Sequence, residues 1–88
     1  MLINVSYFAQ AAAAIGIDCE EIEADDLQTL VRAIHQRHAD AAVGQVCDEH
    51  GALVPWVLVD VDGQLVKDPA HRLQADARVR FLSPISGG

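Results

Sequence analysis

The chain has 88 residues, 51% of them hydrophobic, with 13 acidic side chains against six Lys and Arg and a net charge of −7. That length makes one small domain, and the acidic balance argues against nucleic acid, whose binding relies on Lys and Arg neutralising phosphates. No apolar run reaches the roughly 18 residues of a membrane span, the first residues lack the charged n-region of a secretory signal, and two cysteines make no disulfide framework, so a cytoplasmic protein without membrane or nucleic-acid partners is expected.

Leu2–Phe8 alternates, with Ile3, Val5 and Tyr7 on one face, and predicts a first strand. Ala9–Ile15 is alanine-rich and predicts a short helix closed by Gly16. Asp18–Ala24 predicts a charged strand returning beside the first. Asp25 or Asp26 then caps a longer helix, with Gln28 placed three after Asp25 as in a capping box. Leu27, Leu30, Val31 and Ile34 form its apolar stripe, and Arg32, Gln36 and Arg37 lie off it in water.

Gly44, Asp48 and Gly51 interrupt any period between Ala39 and Gly51, where Val43 and Val46 offer a short extension or strand. From Pro55 the pattern is firm: Val57, Val59 and Val61 share one face, and Trp56, Leu58 and Asp60 the other. Asp62-Gly63 is a two-residue hairpin signal, with Gln64-Leu65-Val66 pairing back. Pro69 ends that strand, and a loop over Asp68–Ala77 leads to a last strand, Arg78–Leu82. There Val79 and Phe81 point inward and Arg80 and Leu82 outward. The order predicts an α+β fold, a mixed sheet of four to five strands on one main helix.

After Leu82 come Ser83-Pro84-Ile85-Ser86 and then Gly87-Gly88. Glycine lacks a Cβ and fits channels that exclude other residues, and six extended residues reach roughly 20 Å. Pro84 fixes φ and lowers the entropy lost when an arm enters a partner. The expected organisation is a folded body over 1–82 and a flexible arm over 83–88, the alternative being a frayed tail. Trp56, Leu58 and Leu82, on the open side of the sheet beside this arm, then mark an interaction surface with Arg80. The competing reading covers Trp56 with loops.

The ending Val79-x-Phe81-Leu82-x-Pro84-x-x-Gly87-Gly88 resembles that of the MoaD/ThiS sulfur carriers, ubiquitin-like β-grasp proteins. The opening Ile3–Phe8 strand running into a short helix closed by Gly16 is similar too, and Leu53-Val54-Pro55 with Val59–Gly63 matches the family's third and fourth strands and their turn. Asp76-Ala77 stands where relatives often have Gly-Asp, and Ser83-Pro84 where they have Pro-Pro. The resemblance implies a β-grasp fold and a carrier rather than an enzyme, one that serves as co-substrate or as the small subunit of a sulfur-transfer enzyme. It implies that the Gly88 carboxylate is adenylated, with ATP, by a ubiquitin-activating-enzyme-like adenylyltransferase. Loading with sulfur then gives a thiocarboxylate that serves a synthase, and no cofactor is bound by the carrier itself. Within the family the ending leans toward the molybdopterin-synthase small subunit, whose partner is the large subunit. Carriers for cysteine or thiamine synthesis, a protein modifier, and an interaction domain without tail chemistry are the alternatives. Partner contacts are expected from Leu82, Pro84, Ile85, Ser86 and Gly87, with Ile85 seated in an apolar pocket.

Other motifs carry less. His35 and His38 lie three apart on the helix without a third metal ligand and are expected to be solvated. Asp60-x-Asp62-Gly63 lacks the remaining ligands of a calcium loop. Cys19 and Cys47 are expected to be small buried thiols.

Overall fold

Strand alternation, one amphipathic helix and a type I′ hairpin build a five-stranded sheet in order β2-β1-β5-β3-β4 in the computed structural model, which describes residues 1–82. The strands are β1 (Leu2–Tyr7), β2 (Cys19–Glu23), β3 (Leu58–Val61), β4 (Gln64–Val66) and β5 (Arg78–Leu82), with helices α1 (Ala9–Ile15) and α2 (Leu27–His38). The two central strands, β1 and β5, run parallel, with Val5 opposite Val79 and Tyr7 opposite Phe81. The other pairings are antiparallel. This is the β-grasp arrangement.

The α2 stripe is the centre of the core. Leu27, Leu30, Val31 and Ile34 are buried against Ile3, Val5, Tyr7, Val59, Val79 and Phe81 in one cluster that also holds Val57. Tyr7 and Phe81 stack with ring centroids 6.1 Å apart across the central strand pair. Arg32, Gln36 and Arg37 are exposed, as their place off the stripe requires.

Asp26, not Asp25, caps α2: its carboxylate accepts from Thr29 N at 2.7 Å, three residues into the helix. The Asp25–Gln28 capping box is therefore not formed, and Gln28 N donates instead to Pro69 O, tying the helix start to the 68–77 loop. Gly16 closes α1 in the left-handed region at φ 89°, its N–H on Ala12 O. At the hairpin Asp62 and Gly63 both have positive φ (51° and 91°), the twist-matched turn the dipeptide predicts. Asp76 takes φ 62° where a glycine would be unstrained.

Further expectations need correction. Leu53-Val54-Pro55 is not a strand; Leu53 makes only an isolated bridge to Cys47, which also bridges Val43. Two carboxylate-capped turns replace it, Asp48 Oδ1 accepting from His50 N and Ala52 N. Phe8 belongs to the N-cap of α1 rather than to β1. Cys19 is exposed, because its position on edge strand β2 faces away from the helix, whereas Cys47 is buried. His38 is not a solvated helix histidine. Its side chain is 15% exposed and shares a hydrogen bond with Glu20, and its ring meets Tyr7 edge-on. His35 is half-buried.

Candidate functional site

The sheet face away from α2 carries the predicted interaction residues, and the strand registers fix their order. One row runs Cys19, Ser6, Arg80, Asp60, Leu65 across all five strands. The adjacent row is apolar. Leu58 lies directly opposite Leu82, and Phe8, next after the Tyr7–Phe81 pair, continues it with an extended backbone. Leu58 is 39% and Phe8 41% exposed; Leu82 is half-buried.

Trp56 lies in the turn before β3, two residues from Leu58. Its indole Nε1 donates to Gly44 O at 3.1 Å, which holds the ring against the preceding loop while 53% of the residue stays exposed. The alternative in which loops cover Trp56 is thus excluded. A ring with its polar edge satisfied and its apolar body open is a typical contact anchor, large in area and inexpensive in entropy to dock.

Arg80 points outward as expected but is not free. Its Nη2 lies 3.1 Å from Asp60 Oδ2 and its Nε 3.4 Å from Oδ1. Asp60 also accepts from Gly63 N at 2.9 Å, so the Asp60-x-Asp62-Gly63 motif is a braced hairpin. The Arg80 guanidinium first, and then the Gly63 N–H, hold the Asp60 carboxyl below its ordinary value. The pair makes a fixed ionic strip bordering the apolar row.

Below the sheet, Glu20 accepts from Tyr7 OH (2.6 Å) and Arg37 Nη1 (2.7 Å) and is joined by His38. Burial alone would raise its pKa; these hydrogen bonds outweigh burial and keep it low. This cluster fastens β2 and β1 to α2. Among the described residues no three His, Cys, Asp or Glu side chains are placed to hold a metal ion, and no helix is long and apolar enough to cross a membrane.

Leu58, Arg80 and Leu82 thus come together at the end of β5, with Trp56 exposed in the turn before β3. Pro84, Ile85, Ser86, Gly87 and Gly88, with the flexible arm they were expected to form, lie outside the described residues. Phe8 and Leu65 (62% exposed) were missed as surface residues. The alternation that puts Tyr7 inside was signal enough for Phe8, and pairing Asp60 with Leu65 across the hairpin was signal enough for Leu65.

The ThiS family model matches residues 5–88. No curated protein matches the chain. Among solved structures, the chain is similar to the small archaeal modifier protein SAMP1 of Haloferax volcanii, at 20% identity, with 100% of each chain covered and a TM-score of 0.85. It is also similar to a putative molybdopterin converting factor, subunit 1, of Pyrococcus furiosus, at 27% identity over 97% of this chain and 99% of that one, TM-score 0.74. A third likeness is to the complex of subunits 1 and 2 of the molybdopterin-converting factor of Helicobacter pylori, at 22% identity, 100% of both chains and TM-score 0.69.

Proposed function

The chain belongs to the ThiS family, and from that premise we propose that it is a sulfur carrier whose reactive group is the Gly88 carboxylate. The observation that carries this reading is the reach of the family match through residue 88, over the Pro84-x-x-Gly87-Gly88 ending. An ionised carboxylate is a poor electrophile. A ubiquitin-activating-enzyme-like partner converts it with ATP to an acyl-adenylate, releasing pyrophosphate. A sulfide-equivalent nucleophile then attacks the carbonyl carbon and displaces AMP, leaving a thiocarboxylate. The carrier supplies placement: Trp56, Leu58 and Leu82 dock on the partner and hold the arm in its site.

The recipient is a synthase, and the likeness to subunit 1 of the Pyrococcus furiosus molybdopterin converting factor supports a molybdopterin-synthase small-subunit role. Cytoplasmic location accords with a pathway that consumes ATP. The test is intact-mass analysis after incubation with ATP, a sulfur donor and the activating enzyme. Replacing one carboxylate oxygen by sulfur raises the mass by about 16 Da. A chain that stays unmodified with its cognate activating enzyme overturns the reading, and isopeptide-linked adducts without a thiocarboxylate favour a protein modifier.

A further inference from the structure

A second feature lies on the opposite side of the sheet from the apolar row. A cavity of about 440 Å³ opens between α2 and the 50–57 segment, floored by Val31, Val57 and Val66 and rimmed by Arg32 and Lys67. Its size falls in the range of small-ligand sites, roughly 300–1,000 Å³. The charged side chains that line it, Arg32 and Lys67, are both basic. The chain carries 13 acidic side chains and a net charge of −7, yet no acidic side chain among the described residues lines the cavity. Arg37 and Arg80 are the Lys and Arg side chains held in ion pairs among the described residues. Arg32, Lys67, Arg72 and Arg78 hold none among the described residues, and the first two sit on this rim.

We infer that this cavity binds a small anionic amphiphile, an aliphatic body seated on the valine floor with a carboxylate head between Arg32 and Lys67. The chemistry of the lining selects this class. An apolar floor rewards an alkyl chain by removing it from water, and two unpaired cations favour an anionic head over a neutral or cationic one. A purely polar anion would leave the apolar floor in contact with water, and a neutral hydrocarbon would leave both cations unused. The site is separate from the open face that carries Leu58 and Leu82, so the inference stands whether or not the carrier reading does.

The test is a ¹H–¹⁵N NMR titration of the full chain with octanoate, 1-octanol and octylamine, each below its aggregation limit. Octanoate is expected to give saturable shifts at the amides of Val31, Ala52, Val57 and Val66, and to bind about fivefold more tightly than octanol, the preference that two partly exposed charge contacts provide. Octylamine should bind more weakly than either. The double variant Arg32→Gln/Lys67→Gln should lose the preference for octanoate over octanol while still binding octanol. Ala52→Phe, an exposed rim position, should block both ligands with the spectrum otherwise native. Absence of saturable octanoate shifts at these amides, equal binding of octanoate and octylamine, or shifts confined to the open face around Leu58 would each overturn the inference.

Discussion

Leu58 and Leu82 face each other across the β3–β5 pair on the open side of the sheet, so the last described residue, Leu82, is also a member of the apolar row. Whatever docks on that row holds the residue to which residues 83–88 are joined. Truncating Trp56 or Leu58 to Ala should therefore weaken binding to the activating enzyme by about 10- to 50-fold, as loss of a hot-spot side chain does. Unfolding midpoints should fall only modestly, because Trp56 is 53% and Leu58 39% exposed, although Trp56→Ala also gives up the bond to Gly44 O. Calorimetric titration measures the first effect and urea melts the second; unchanged affinity in both variants would place the docking surface elsewhere.

Ala39 ends α2 at φ 52° and ψ −125°, its N–H bonded to His35 O. A Cβ is strained in that conformation and glycine is not. Ala39→Gly should stabilise the fold by roughly 1 kcal/mol, the relief of strain exceeding the extra unfolded-state entropy of glycine. Chemical denaturation gives the sign directly. A destabilised variant would mean that the helix end has another conformation.

The Glu20 cluster sets a pH dependence. Its carboxyl pKa is lowered in the fold by Tyr7, Arg37 and His38, against burial. The unfolded chain thus binds a proton more readily, and Glu20 contributes stability above the ordinary glutamate value of about 4.3 that is lost as pH falls through the lower folded value. Glu20→Gln should cost about 1–2 kcal/mol near neutral pH, the scale of hydrogen bonds to a charged group, and less in acid. Tyr7→Phe removes one of the three partners and should cost about 1 kcal/mol. Melting curves from pH 3 to pH 7 (about one unit apart) would reveal a constant difference between wild type and Glu20→Gln if the cluster were not the source.

Much of this architecture is legible because side-chain period and burial agree. Ile3, Val5 and Tyr7, the α2 stripe, and Val57, Val59 and Val61 are each a clean repeat, and Asp62-Gly63 permits one turn type. Legibility fails where backbone hydrogen bonds, not periodicity, decide the path. Asp48 builds its turns by capping His50 and Ala52, and nothing in the local pattern distinguishes that from a short strand. Competing Asp25 and Asp26 caps are equivalent by spacing. Contacts between distant segments are invisible as well. Glu20, Arg37 and His38 read separately as a strand charge and two helix-surface groups, and only the approach of β2 to α2 makes them a cluster. For the site, alternation located Leu58, Arg80 and Leu82, but not that Arg80 is committed to Asp60.

The carrier reading makes a prediction about chain length at the arm. Adenylation requires the reacting carbonyl to meet the nucleotide while the body stays docked through Trp56, Leu58 and Leu82, so the span from Leu82 to the reactive carboxylate is fixed by the partner. Deleting Gly88 should stop that carboxylate about 3.8 Å short, and adding one residue should overshoot by a similar distance. Misplacement of this order removes most of the proximity contribution to rate, so both variants should fail to gain the thiocarboxylate mass. Their binding to the activating enzyme should stay within a few-fold of wild type, since the docking row is untouched. Replacing Gly87 by Val tests the channel separately: the length is correct, but a branched side chain enters a path shaped for glycine. A deletion variant that loads sulfur at the wild-type rate would show that Gly88 is not the reactive residue.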